Sequence, residues 1–125
     1  MTDQELLDLA AQCGFDHAGA LNVAAMRFDP AVRDMCAADR CRSYGRCWTC
    51  PPGCGTLEEI SERAAAYRRG VLLQSTGQME DDFDVEAMMD TERLQKERFR
   101  AFLDRVRSEH PDCLPMSSGA CTVCP

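Results

Sequence analysis

The sequence has no apolar run that approaches the roughly 18 residues a membrane-spanning helix needs. It also lacks the start of a secretory signal, because residues 1–10 are acidic and amphipathic where such a signal is basic and then apolar. Positive charge is short as well, since 14 Lys and Arg residues stand against 21 Asp and Glu residues. We therefore expect a cytoplasmic protein that binds neither membranes nor nucleic acid, whose phosphates are recognised by Lys and Arg.

Residues typical of catalysis are also scarce. The only histidines, His17 and His110, lie in no recognisable motif. The sequence contains no phosphate-binding glycine loop and no serine nucleophile elbow. We expect a protein that is not an enzyme by itself, and two alternatives remain: a thiol catalyst, or a catalyst whose metal keeps an open position.

What the chain has in excess is cysteine. It contains nine, an odd number that would leave at least one thiol unpaired in a disulfide scaffold, and clustered thiols in a reducing compartment more often bind metal. Five of them fall between positions 36 and 54, and a further C-x2-C pair lies near the C-terminus. A C-x2-C pair lets two sulfurs approach one ion from a single turn, and further thiolates complete a four-sulfur site. The candidate ligands are Cys36, Cys41, Cys47, Cys50, Cys54, Cys121 and Cys124.

The neighbours of these cysteines bear on which metal is bound. Pro51 and Pro52 follow Cys50, and proline after cysteine recurs at iron–sulfur ligands, which favours a cluster such as [4Fe–4S] over a structural zinc ion. The two prolines also predict that the chain leaves the site in an extended form. Three arginines, Arg40, Arg42 and Arg46, could offset the negative charge of the thiolates. A thiol–disulfide oxidoreductase that uses Cys47 and Cys50 is a further alternative. In such enzymes the motif lies at the start of a helix, whereas here the two prolines place the next helix further along the chain.

Hydrophobic periodicity predicts an α/β protein. Capping-box spacing predicts helices after Thr2 and after Thr56, and a long helix, single or divided, is predicted over 85–110. Short buried strands are predicted over 15–23, 71–76 and 112–117, with a broken helical segment over 24–36. Cys13 and the methionines at the start of the long helix are expected in the core. The prediction is thus a single small domain over 1–125, with short strands alternating with helices through right-handed crossovers, plus the cysteine-rich metal-binding loop.

Several short motifs occur in a characteristic order. They are Val32-Arg33-Asp34-Met35-Cys36, Cys41-x2-Tyr44-Gly45, Trp48-x-Cys50-Pro51-Pro52 with Gly55, and the run from Gly119 to Cys124. This order resembles the predicted metal-binding proteins of domain-of-unknown-function family 2284. The resemblance implies metal binding but no reaction. Because an iron–sulfur cluster is the favoured metal group, we expect an electron-transfer or accessory role with a redox partner protein.

The resemblance also ranks the ligands. The positions that match the family pattern are Cys36, Cys41, Cys50, Cys121 and Cys124; Cys54 occurs in many relatives, and Cys47 is more variable. Members of the family usually continue with further cysteines in a ferredoxin-like run, whereas this sequence stops at Pro125. We expect either that the chain is truncated relative to the family or that another chain supplies the remaining ligands.

Overall fold

The structure is a computed structural model that describes residues 1–117. Their helices and two-stranded sheet confirm the mixed α/β class predicted from the sequence. The described chain divides into two compact units, the first built from Met1–Leu21 with Gly70–Ser117 and the second from Asn22–Arg69. That residues 1–125 form a single domain stays a prediction. No helix within 1–117 combines the length and apolar composition needed to cross a bilayer.

The first unit begins with α1 (Asp3–Gln12), which starts as the sequence predicts. The Thr2 hydroxyl accepts from the Glu5 amide at 3.1 Å, and the Glu5 carboxylate accepts from the Thr2 amide at 3.0 Å. This capping box satisfies two amides that have no partner within the helix. Leu6 and Leu9 are buried on one face of α1, while Cys13 packs against the same core, as predicted.

The sheet consists of two strands, β1 (His17–Leu21) and β2 (Gly70–Gln74). They pair antiparallel, with His17 opposite Gln74 and Leu21 opposite Gly70. The expected right-handed crossover between parallel strands was therefore wrong. The chain between the strands is the whole second unit, so no single crossover helix required the strands to run in the same direction.

The third predicted strand, over 112–117, is also absent from the structure. After Pro111 the chain turns, and the Cys113 amide donates to the His110 carbonyl at 3.1 Å. Pro115 has no amide to donate to a ladder, which disfavours a strand in this segment.

The long helix is single, α4 (Val85–Glu109). Phe102 and Val106 in its second half are buried against α1 and Phe15, and the rings of Phe15 and Phe102 meet edge to face at 6.0 Å. The methionines at its first turns are exposed, so the expectation that they fill the core was wrong. The core of this unit involves only the second half of α4, and the first turns extend beyond it.

The second unit holds a short 3-10 turn (Val23–Ala25), α2 (Pro30–Ala37) and α3 (Leu57–Ala65). The Asp29 carboxylate caps α2 by accepting from the Ala31 amide at 2.9 Å, and Pro30 occupies the first turn. The Thr56 hydroxyl caps α3 by accepting from the Glu59 amide at 3.1 Å. Both helix starts agree with the sequence predictions. Within Asn22–Arg69 the only buried apolar residue is Ala64, so this unit has almost no hydrophobic core.

Candidate metal centre

The segment between α2 and α3 is organised by turns instead of helices or strands. Asp39 and Arg42 both adopt left-handed backbone angles, with φ of 56° and 60°. The Asp39 carboxylate accepts from the Tyr44 amide at 3.1 Å, and the backbone carbonyl of Asp39 accepts from the Arg42 amide at 3.2 Å. Asp39 thus fixes the turn that leads from Cys36 to Cys41.

The Cys47-x2-Cys50 motif forms a tight turn. The Cys50 amide donates to the Cys47 carbonyl at 3.1 Å, and the Cys54 amide then donates to the Cys50 carbonyl at 3.1 Å. Gly53 lies directly against this turn, because a Cβ at that position would be 2.9 Å from the Cys47 carbonyl oxygen. A larger residue would therefore displace the backbone that carries the C-x2-C pair.

The two prolines do not lead the chain away in an extended form, so that prediction was wrong. The peptide bond between Pro51 and Pro52 is cis. Proline loses its amide donor but keeps its carbonyl, and both carbonyls accept here: Pro51 from the Gly45 amide at 2.8 Å and Pro52 from the Gly55 amide at 3.1 Å. These two hydrogen bonds fold the chain back on the loop.

Two other thiols, those of Cys47 and Cys54, lie near Cys50. Its partial burial raises the pKa of the Cys50 thiol most, and the negative charge of Cys47 and a hydrogen bond with the Cys47 side chain raise that pKa further. Cys54 adds a smaller repulsion, while a hydrogen bond with Thr49 acts in the opposite direction. Several thiolates close together repel one another, and a bound cation would remove that repulsion and ionise them.

Of the other predicted ligands, Cys36 is half-buried in the last turn of α2 and Cys41 is exposed. Cys121 and Cys124 lie outside the described residues. No three Cys, His, Asp or Glu side chains of residues 1–117 are positioned as ligands of one ion.

No disulfide forms among the seven cysteines of residues 1–117. Cys13 and Cys113 pack against the core of the first unit, which separates them in role from the five cysteines of the loop. The loop thus offers sulfur donors, which suit zinc and iron–sulfur clusters better than the hard cations that prefer oxygen. The chemistry of this donor set fits a thiophilic metal.

Sequence reasoning missed three residues that shape the loop. Thr49 contacts the Cys47 sulfur at 3.1 Å, Gly53 makes room for the C-x2-C turn, and Arg33 donates to the Gly55 carbonyl at 2.8 Å. The glycine between the prolines and Cys54 was a usable signal, because a crowded turn often requires one. The contact made by Arg33 spans 22 residues, and no local pattern reveals it.

A family model described as "Predicted metal-binding protein (DUF2284)" matches residues 19–125. No curated protein and no solved structure matches the chain.

Proposed function

Since the chain belongs to the DUF2284 family of predicted metal-binding proteins, we propose that its cysteine-rich loop holds an iron–sulfur cluster in an electron-transfer or accessory role. Such a cluster supplies a one-electron redox centre whose potential depends on the surrounding hydrogen bonds and charges. The proposal places the protein in the cytoplasm, where thiols stay reduced, and gives it a redox partner protein.

The observation that carries this proposal is the missing core of the second unit. Within Asn22–Arg69 Ala64 is the only buried apolar residue, and Trp48, Met35 and Val32 expose 87%, 72% and 56% of their surface. Apolar burial is the main favourable term in folding, so this unit needs another source of stability. Metal binding by thiolates can provide it, as in small domains that fold only with their metal.

The ligands are proposed from the cysteines of the loop together with the C-terminal pair. Cys50 is the first choice, because it matches the family pattern and has two other loop thiols beside it. A cluster of the [4Fe–4S] type needs four thiolates. The set from which they come is Cys36, Cys41, Cys47, Cys50, Cys54, Cys121 and Cys124.

A structural zinc ion is the second candidate. The Cys47–Cys50 turn, held by a backbone hydrogen bond, brings two thiols close enough to interact, and structural zinc sites use C-x2-C pairs of this kind. Thiol–disulfide chemistry is less well supported, because redox-active C-x2-C motifs lie at the start of a helix, whereas α3 starts only at Leu57.

The experiment is analysis of iron, zinc and acid-labile sulfide in the full chain purified without oxygen. We expect iron and sulfide in equal amounts, with broad visible absorption from thiolate-to-iron charge transfer. Zinc in a colourless protein would replace the cluster with the structural ion. Absence of any metal, after reconstitution with iron and sulfide has also been attempted, would overturn both.

A further inference from the structure

The first turns of α4 and the segment before them carry large apolar side chains that residues 1–117 leave exposed in large part. Val85, Met88 and Met89 follow one another at the spacing of one helical face, yet they are 57%, 46% and 63% exposed. Phe83 is 88% exposed and Met79 is 42% exposed. We call these five residues the acidic methionine surface, for the carboxylates that surround them.

Hydrogen bonds hold this surface in place on the helix. The Asp84 carboxylate accepts from the Ala87 amide and from the Glu80 amide, both at 3.1 Å. Gly77 lies against the Thr91 side chain so closely that any Cβ on Gly77 would overlap it. The segment before α4 is therefore fixed along the first two turns of the helix, which gives the surface a defined shape.

Negative charge surrounds these apolar side chains. Residues 70–92 contain seven Asp and Glu residues and no Lys or Arg. Asp90 pairs with Arg93 at 3.9 Å and Glu92 with Lys96 at 3.1 Å. Within residues 1–117 no ion pair neutralises the carboxylates nearer the apolar side chains, which are Glu80, Asp81, Asp82, Asp84 and Glu86.

We propose that the acidic methionine surface binds a basic amphipathic segment of a partner protein, with the apolar side chains of the segment on Phe83 and the methionines and its Lys or Arg residues against the carboxylates. Methionine side chains adapt to varied apolar partners, and a central exposed aromatic ring is a common anchor of an interface. Charge complementarity selects the occupant. Anionic membrane headgroups would be repelled, and symmetric pairing with a second copy would place two sets of carboxylates face to face.

The test uses the full chain and a defined probe. The probe is a helical peptide of about 16 residues, long enough to hold a helix, with Leu and Trp on one face and Lys on the other. A matched peptide carries Glu in place of Lys. Calorimetry should detect binding of the lysine peptide that weakens as salt is added, and no binding of the glutamate peptide.

Variants distinguish binding at the acidic methionine surface from nonspecific electrostatic attraction to the chain. Phe83→Ser and Met89→Ser leave the charge unchanged and should each weaken binding about tenfold, as expected for lost apolar contact. Glu86→Gln should weaken binding and reduce its salt dependence. The controls are Leu72→Ser, a 62% exposed apolar residue in β2, and Asp104→Asn, about 27 Å along α4 from Glu86. Both controls should bind as the unchanged chain does.

Three outcomes would overturn the proposal. The first is no binding of the lysine peptide, and the second is equal affinity of the surface variants and the controls. The third is self-association of the unchanged chain in sedimentation that Phe83→Ser abolishes, because the occupant would then be a second copy.

Discussion

The Arg33 guanidinium donates a hydrogen bond of 2.8 Å to the carbonyl oxygen of Gly55. This bond joins α2 to the residue just before the cap of α3, so it closes the cysteine-rich loop at its two ends. Gly55 has a φ of +99°, which other residues rarely adopt, and this angle positions its carbonyl. A side chain and a glycine outside the cysteine pattern therefore set the geometry of the candidate metal centre.

Arg33→Met should loosen the metal site without unfolding the first unit. A hydrogen bond from a charged donor contributes about 1.5–3 kcal/mol, so we expect transfer of metal to a chelator to become about tenfold faster or more. Chelator transfer followed by absorption measures this rate. Arg68→Met, an exposed arginine after α3, is the control and should keep the original rate. Equal rates in the two variants would show that the closing bond has no part in holding the metal.

Gly53→Ala should reduce metal binding by displacing the C-x2-C turn. Its Cβ would lie 2.9 Å from the Cys47 carbonyl oxygen and 3.3 Å from the Trp48 Cα, and overpacking of this kind costs about 1–3 kcal/mol. We expect metal affinity to fall about tenfold or more in a competition titration. Gly19→Ala is the matched control, because no atom lies within 4 Å of a Cβ at Gly19. A Gly53→Ala chain that binds metal as tightly as the control would contradict the turn geometry.

In the metal-free chain the Cys50 thiol should ionise at unusually high pH. Partial burial, the charge of Cys47 and the hydrogen bond between the two side chains raise the pKa of Cys50. Alkylation requires the thiolate, so the pH midpoint of the reaction of Cys50 with iodoacetamide should exceed the ordinary cysteine value of about 8.5. Cys47→Ser should lower that midpoint, since a serine hydroxyl does not ionise and the charge of Cys47 is removed. Peptide mapping by mass spectrometry identifies the site, and an unchanged midpoint in Cys47→Ser would refute the proximity of the two thiols.

Asp16 should make the first unit sensitive to acid. The Thr76 amide, at 2.8 Å, is the main cause that lowers the pKa of this carboxyl, and Arg98, at 3.2 Å, lowers it further. Because the folded pKa lies below the unfolded value of about 3.9, the stabilisation is complete above that pH and is lost as the pH falls through the folded pKa. Asp16→Asn should therefore unfold at lower urea at neutral pH and lose less stability on acidification. An Asp16→Asn profile parallel to that of the unchanged chain would contradict this role.

Local patterns predicted the elements of this fold well. Capping residues and periodicity located α1, α2, α3 and α4, and short apolar runs located β1 and β2. The pairing direction of the strands was not predictable in this way, because it depends on how the chain returns after the second unit. The exposure of Met88 and Met89 was missed for a related reason: periodicity shows that a face is apolar but not whether another element covers it.

The candidate site was predictable in its residue types and not in its geometry. Spacing identified the five loop cysteines, and the structure brings Cys47 and Cys54 close to Cys50. Turns built from Asp39 and Gly53 place these sulfurs, and turn geometry leaves little trace in sequence beyond glycine and proline. The assignment of the seven cysteines as ligands stays a prediction.

The central claim is that the thiols of the cysteine-rich loop hold the metal. Its most direct test is the metal content per chain of three proteins purified without oxygen: the unchanged chain, Cys50→Ser, and Cys13→Ala. Cys13 packs against the core of the first unit, so its replacement by alanine removes a thiol without touching the loop. We predict that the unchanged chain and Cys13→Ala hold equal metal and that Cys50→Ser loses most of it. Metal retained in full by Cys50→Ser would contradict the claim.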